Sequence, residues 1–274
     1  MRGLNGRKAH PHLGSELGRG IPSQRQNMGA NRMACVSPPE ASSALVVALF
    51  GLTCVTGVID AVSFLGLGHV FTANMTGNVV LLGFALGGTG GLSVGRSLVA
   101  LVAFGSGSVV GGRLTNRRQR TPAAHLLIAM GAEVVLLSLA AGAALMAAGE
   151  TSVATVYLLI VLTAVGMGLR NAVVRRLAVA DLTTTVMTMT LTGLAADSRL
   201  AGGTSPRSAR RIMAILTLCA GAVIGAMLVR VRGLWVSFVV AALAVSGLAS
   251  YLYLREPLMG KLTSAAPDPG ARFS

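Results

Sequence analysis

Between Gly57 and Leu86 the chain reads GVIDAVSFLGLGHVFTANMTGNVVLLGFAL, with one acid, Asp60, in an otherwise apolar or uncharged stretch. No amphipathic period runs through it, so it does not suit a helix with one wet face. At its centre lies an uncharged polar knot, Thr72-Ala73-Asn74-Met75-Thr76-Gly77-Asn78, after which the sequence returns to Val, Leu and Phe. In lipid every backbone polar group has to be satisfied internally. A break at membrane depth therefore persists only where side chains such as Thr and Asn re-satisfy the backbone, or where the break lines a cavity. The stretch thus predicts a membrane segment that stops and restarts at a polar point.

The rest of the chain agrees. Apolar residues make up 53% and charged residues 12%, against about 25% charged in soluble domains. The formal charge of +14 raises the question of nucleic acid. The bases sit between apolar runs and are not interleaved with aromatics on one face, which is the signature of membrane topology; no nucleic-acid partner is expected. Cys35, Cys54 and Cys219 have neither metal nor redox spacing, so neither a metal site nor a cofactor is expected.

Residues 1–40 carry Arg2, Arg7, Lys8, Arg19, Arg25 and Arg32 among Gly, Pro, Gln and Asn, and read as a disordered basic tail. Met28 and Met33 are alternative starts that leave the remainder intact. The membrane domain is expected over 41–258, with a disordered tail over 259–274. Within it the apolar runs are 44–67, a short one over 78–91, 97–112, 123–149, 153–169, a short Thr-rich one over 182–196, 212–229 and 234–254.

The runs repeat. Gly57-Val-Ile-Asp60-Ala-Val returns as Gly168-Leu-Arg-Asn171-Ala-Val, and Thr72-Ala-Asn-Met75-Thr76 as Thr184-Thr185-Val-Met187-Thr188, roughly 111 positions downstream. Two halves follow, about 44–149 and 153–258. Arginines mark cytoplasmic loops: the N-terminal tail, Arg113–Arg120, Arg170–Arg176, Arg199–Arg211, and Arg255 with Lys261, while the loop at Glu150 falls outside. These assignments agree when the two short elements do not cross fully. The expectation is an all-α membrane bundle of six full crossings and two short broken or re-entrant helices, built as two inverted repeats, both termini cytoplasmic. Arg230 and Arg232 fall on the outer side and oppose the scheme. Were the short elements to span, eight helices and parallel repeats would result.

Polar groups in such a bundle have a functional and a structural reading. Asp60 is a candidate substrate, proton or cation site, because an acid at membrane depth is costly; its structural alternative is to cap the broken segment. Thr72, Asn74, Thr76 and Asn78 either line a cavity from a half-helix N-terminus or only cap the break. Thr184, Thr185 and Thr188 repeat that choice, since Thr also bonds back harmlessly within membrane helices. Asn171 is either the opposite wall or, beside Arg170, an ordinary helix end. Glu133 sits near mid-membrane, as a proton carrier or as a partner of Arg96 or a neighbouring hydroxyl. His69 at the break is taken as structural. The sharpest expectation is that Asp60, Asn74, Thr76 and Asn78 meet Asn171, Thr184, Thr185 and Thr188 around one pseudo-two-fold axis.

The stretches GVIDAVSFLGLGHVFTANMTGNVVLLG and DLTTTVMTMTLTGLAADS resemble the two signature stretches of the YoaK-like family, and the resemblance covers about residues 44–255. That family consists of small bacterial multi-pass membrane proteins classed as a domain of unknown function. It implies an inner-membrane location and supplies no catalytic residue. No nucleophile elbow, phosphate loop or paired-carboxylate spacing points to an enzyme. The reading favoured is a secondary transporter or channel-like permease for a small polar or ionic solute. The alternative is a non-transporting membrane interaction or stress-response protein. The lipid bilayer is the expected partner, and self-association into a homo-oligomer is left open.

Overall fold

The computed structural model describes residues 43–116, 121–147, 152–177, 187–204 and 207–264. The basic tail, Arg117, Arg118, Arg120, Glu150, Thr184 and Thr185 lie outside the described residues. Seven α-helices and one short 3-10 turn (Arg199–Ala201) make up the described chain: α1 (Ser43–Gly66), α2 (Met75–Leu86), α3 (Val94–Asn116), α4 (Pro122–Met146), α5 (Val153–Leu177), α6 (Met187–Ala196) and α7 (Ser208–Ser264). Five of them, α1, α3, α4, α5 and α7, are long and apolar enough to cross a membrane, while α2 and α6 are short. Large apolar side chains lie exposed on every helix, among them Val79, Phe84, Val102, Leu139, Leu158, Leu191 and Met227. A surface of this kind belongs in lipid.

The helix ends follow local chemistry. Thr121 caps α4 by accepting the N–H of Ala124, and Pro122 occupies the first turn, where its missing N–H costs nothing. After α1 the backbone reverses through Gly68 and His69, both at positive φ. The His69 N–H bonds to the carbonyl of Phe64, and its ring meets Phe64 edge-on. His69 therefore closes the end of α1.

The expected spans over 212–229 and 234–254 are one continuous run, α7, interrupted only at Gly233, whose φ of 81° and ψ of −176° are non-helical. Backbone around Leu218 lies against Gly57, and Leu248 lies against Gly51, all on one short section of α1. A straight helix would hold Leu218 and Leu248 about 45 Å apart, whereas Gly51 and Gly57 are about 9 Å apart. The run thus folds back at Gly233, and both arms of α7 pack on α1.

Two helix crossings are notched by glycine. A Cβ on Gly107 would collide with the carbonyl of Val165, and one on Gly168 with the carbonyl of Phe104, so α3 and α5 touch backbone to backbone. The crossing of α1 with the first arm of α7 repeats this: Gly221 sits under the carbonyl of Cys54, and Gly57 under that of Leu218. Gly111 and Gly225 extend the two contacts onto Leu169 and Val58. Small residues permit this closeness in lipid, where packing replaces the hydrophobic effect between helices. α4 lies between the second arm of α7 and α5 and contacts both.

α5 departs from its expected end. The apolar pattern closes the span before Arg170, but the helix continues to Leu177. Arg170 lies inside it, fully buried, because a partner for its charge stands on α4.

Candidate functional site

α2 begins inside the polar knot. Asn74 is its N-cap and accepts the N–H of Gly77. Asn78, one turn on, is buried and holds both backbone groups of Phe71: it accepts the Phe71 N–H at 2.9 Å and donates to the Phe71 carbonyl. The segment entering α2 is thus fixed to the helix it precedes. From α1, Asp60 reaches the same segment. Its Oδ1 accepts the backbone N–H of Ala73 at 2.9 Å and that of Asn74 at 3.3 Å. Thr72, between these anchors, is completely buried. The interrupted backbone of the break is therefore completed by one acid and two amides, each a short polar group that bonds backbone readily.

A cavity of about 440 Å³ opens at this point. Asp60 and Thr56 line it from α1, Asn74, Thr76 and Gly77 from the start of α2, and Met187 and Thr188 from the start of α6; Phe71, Val80, Leu81 and Leu218 form its apolar walls. The structure thus brings Asp60, Asn74 and Thr76 of the first half together with Thr188 of the second. Asn78 and Thr72 are not among the lining residues; Asn78 serves the Phe71 backbone, and Thr72 is packed beneath the break. Asn171, half-buried on α5, does not line the cavity either. Thr184 and Thr185 fall outside the described residues.

Behind Thr56 stands a second polar cluster. Arg170 donates to Oε1 of Glu133 at 2.7 Å and to the hydroxyl of Thr56 at 2.6 Å, with the sulfur of Met167 at 3.3 Å. Arg170 and Glu133 are each 1% exposed, so this is an ion pair held wholly within the helices. Glu133 is partnered by Arg170; Arg96 instead packs its guanidinium over Gly68 at the end of α1. Thr56 also donates its proton to the carbonyl of Leu52. It is the one lining residue of the cavity that bonds Arg170 among the described residues.

Reading the residues in order assigned Arg170 to a cytoplasmic helix end, together with Arg175 and Arg176. The available signal was a lone acid, Glu133, in the preceding apolar run. An Arg and an acid on neighbouring apolar helices are each costly in lipid unless paired.

Two comparisons with known proteins bear on the chain. The family model described as "Protein of unknown function (DUF1275)" matches residues 48–250. The UPF0700 transmembrane protein YoaK of Bacillus subtilis (strain 168) is 34% identical over 189 residues, covering 65% of this chain and 82% of that protein. No solved structure matches.

Proposed function

This chain belongs to the DUF1275 family of membrane proteins, and from that premise we propose that it is a permease for a small polar or ionic solute. The observation that carries the reading is the cavity at which Asp60, Asn74 and Thr76 face Thr188, where two short helices begin. Carriers built from repeats place their sites at such broken elements, with half-helix N-termini directed at the solute. A cavity of this size accommodates a small solute. A packed apolar interior would instead favour a membrane protein that does not transport.

The same reading includes six crossings and two inverted repeats. Support comes from the fold-back at Gly233, which divides α7 into two arms, and from the glycine crossings. Cys54, Gly57 and Val58 meet the first arm of α7 as Val165, Gly168 and Leu169 meet α3. Met75 and Met187, matched in the repeat, are the first residues of the two short helices. In this scheme α2 and α6 enter from opposite faces of a bacterial plasma membrane, and both termini are cytoplasmic.

A solute screen by thermal shift on purified protein, wild type beside Asp60→Asn, tests the function. A solute that raises the midpoint of wild type and not of Asp60→Asn is the expected result, and its uptake into proteoliposomes should follow. Failure of every small polar solute and ion to shift wild type would reject the reading. Reporter fusions at Arg118 and Glu150 should report opposite sides of the membrane; the same side for both would defeat the inverted arrangement.

A further inference from the structure

We propose that Arg170 is a positioning residue for the cavity. Through Thr56 it holds α1, and with it Asp60, in the arrangement that forms the site. The inference rests on the permease reading above, but its test does not depend on a solute.

Arg170 belongs to α5, which is locked to α3 by the glycine notch of Gly107 and Gly168. Thr56 belongs to α1, which is locked to the first arm of α7 by the notch of Gly57 and Gly221. Backbone contacts of this type hold each pair closely together. Between the two pairs, α1 and α5 touch at few other places. The hydrogen bond of 2.6 Å from Arg170 to the Thr56 hydroxyl crosses that gap. Both of its ends are buried, Arg170 at 1% and Thr56 at 3% exposure.

The guanidinium suits this task. Its fork reaches Glu133 with one nitrogen and Thr56 with the other, an arrangement that a single ammonium does not reproduce in one geometry. The pairing with Glu133 neutralises the charge and fixes the fork. The Thr56 hydroxyl has one proton, given to Leu52, and two acceptor sites, one of which takes the Arg170 proton. Its face on the cavity therefore offers an acceptor. A solute donor that takes the second acceptor site bonds the same hydroxyl that holds Arg170. Occupancy of the cavity thereby reaches the buried hydrogen bond between α5 and α1. Asp60, one turn further along α1 and on the same wall, moves with Thr56.

The test measures which side of the membrane reaches the cavity. In full-length protein with Cys35, Cys54 and Cys219 replaced by alanine, Thr76→Cys places a thiol at the start of α2. A membrane-impermeant maleimide is applied from each face of proteoliposomes of known orientation. With Thr56 and Arg170 intact, labelling should favour one face. Thr56→Val and Arg170→Lys should each raise labelling from the opposite face by roughly tenfold, the shift expected when one buried hydrogen bond no longer biases a two-state equilibrium. Thr56→Ser, which keeps the hydroxyl, should restore the original preference. A purely structural role would lower the thermal midpoint without changing the favoured face. Unchanged sidedness in Thr56→Val overturns the proposal, and so does loss of the folded protein in that near-isosteric variant. Altered sidedness without any transported solute would leave this inference standing and reject the permease reading. Solute uptake with unchanged sidedness would do the reverse.

Discussion

Asp60 and Ala73 stand thirteen positions apart on either side of a chain reversal, and the carboxylate of the first accepts the backbone N–H of the second at 2.9 Å. The acid identified as a transport candidate is therefore also the group that completes the broken backbone ahead of α2. The two roles are compatible, because both bonds land on Oδ1 while Asp60 also lines the cavity.

Replacing Asp60 should separate these roles. Asp60→Asn keeps an acceptor at Oδ1 and loses only the charge assistance, so its stability cost should be about 1 kcal/mol. Asp60→Ala leaves two backbone N–H groups without their acceptor and should cost roughly 2–4 kcal/mol, at about 1–3 kcal/mol for each buried unsatisfied group. Thermal unfolding in detergent distinguishes the two, and equal losses would show that Asp60 does not complete the break.

Glu133 and Arg170 should behave as a unit. Removing either alone, as in Glu133→Leu or Arg170→Met, strands a buried charge and should cost about 3–5 kcal/mol. The double variant Glu133→Leu/Arg170→Met substitutes an apolar pair of similar volume and should recover most of that loss. A double-mutant cycle on unfolding midpoints measures the coupling, and additive losses would contradict the ion pair.

The glycine notches make a sharper contrast. Gly107→Ala and Gly168→Ala drive a methyl into a facing backbone carbonyl, which cannot rotate away, and should destabilise by at least about 1–3 kcal/mol. Gly105 and Gly112 lie on α3 with Gly107 and have open space beside them, so Gly105→Ala and Gly112→Ala serve as controls. They should be neutral, or stabilising by about 0.5–1 kcal/mol, since alanine restricts the unfolded chain. Expression level and thermal midpoint of the four variants test the crossing directly.

Asn78→Asp should be worse tolerated than Asp60→Asn. An aspartate at this position keeps the bond from the Phe71 N–H but loses the one to the Phe71 carbonyl and sets a charge against that oxygen. Its fully buried position gives the charge no water. A loss of more than about 2 kcal/mol is expected; an unfolding midpoint equal to wild type would remove the tether from the account.

Much of the frame is legible in the sequence because lipid makes the pattern coarse. The run 44–67 anticipates α1 within one residue at each end, since its flanks change character sharply. The Thr-Ala-Asn-Met-Thr-Gly-Asn knot reads correctly as a break, but the helix starts within it, at Met75. That depends on Asn74 turning its side chain onto Gly77, which composition does not reveal. Residues 153–169 underestimate α5 because an arginine in an apolar run looks like its end. Only the partner 37 positions upstream makes Arg170 tolerable inside the helix, and pairing at that distance has no periodic signature. The site is partly legible for the same reason. Residue type singles out Asp60, Asn74, Thr76 and Thr188, which do share a cavity, but it does not separate them from Asn78 and Thr72, whose bonds or packing turn them elsewhere.

The buried pair of Glu133 and Arg170 also sets an order of events during synthesis. Glu133 leaves the ribosome first, and a lone acid near the centre of an apolar helix costs about 2.5–3.5 kcal/mol on insertion scales. The residue that relieves it lies on the very next helix, α5. α4 and α5 therefore gain by entering the bilayer together as a hairpin, each carrying the other's counter-charge. Thr56, delivered much earlier with α1, can receive its hydrogen bond only after that hairpin has docked. The contact from α5 to the cavity wall thus waits for that hairpin, and the packing of both arms of α7 on α1 follows later still.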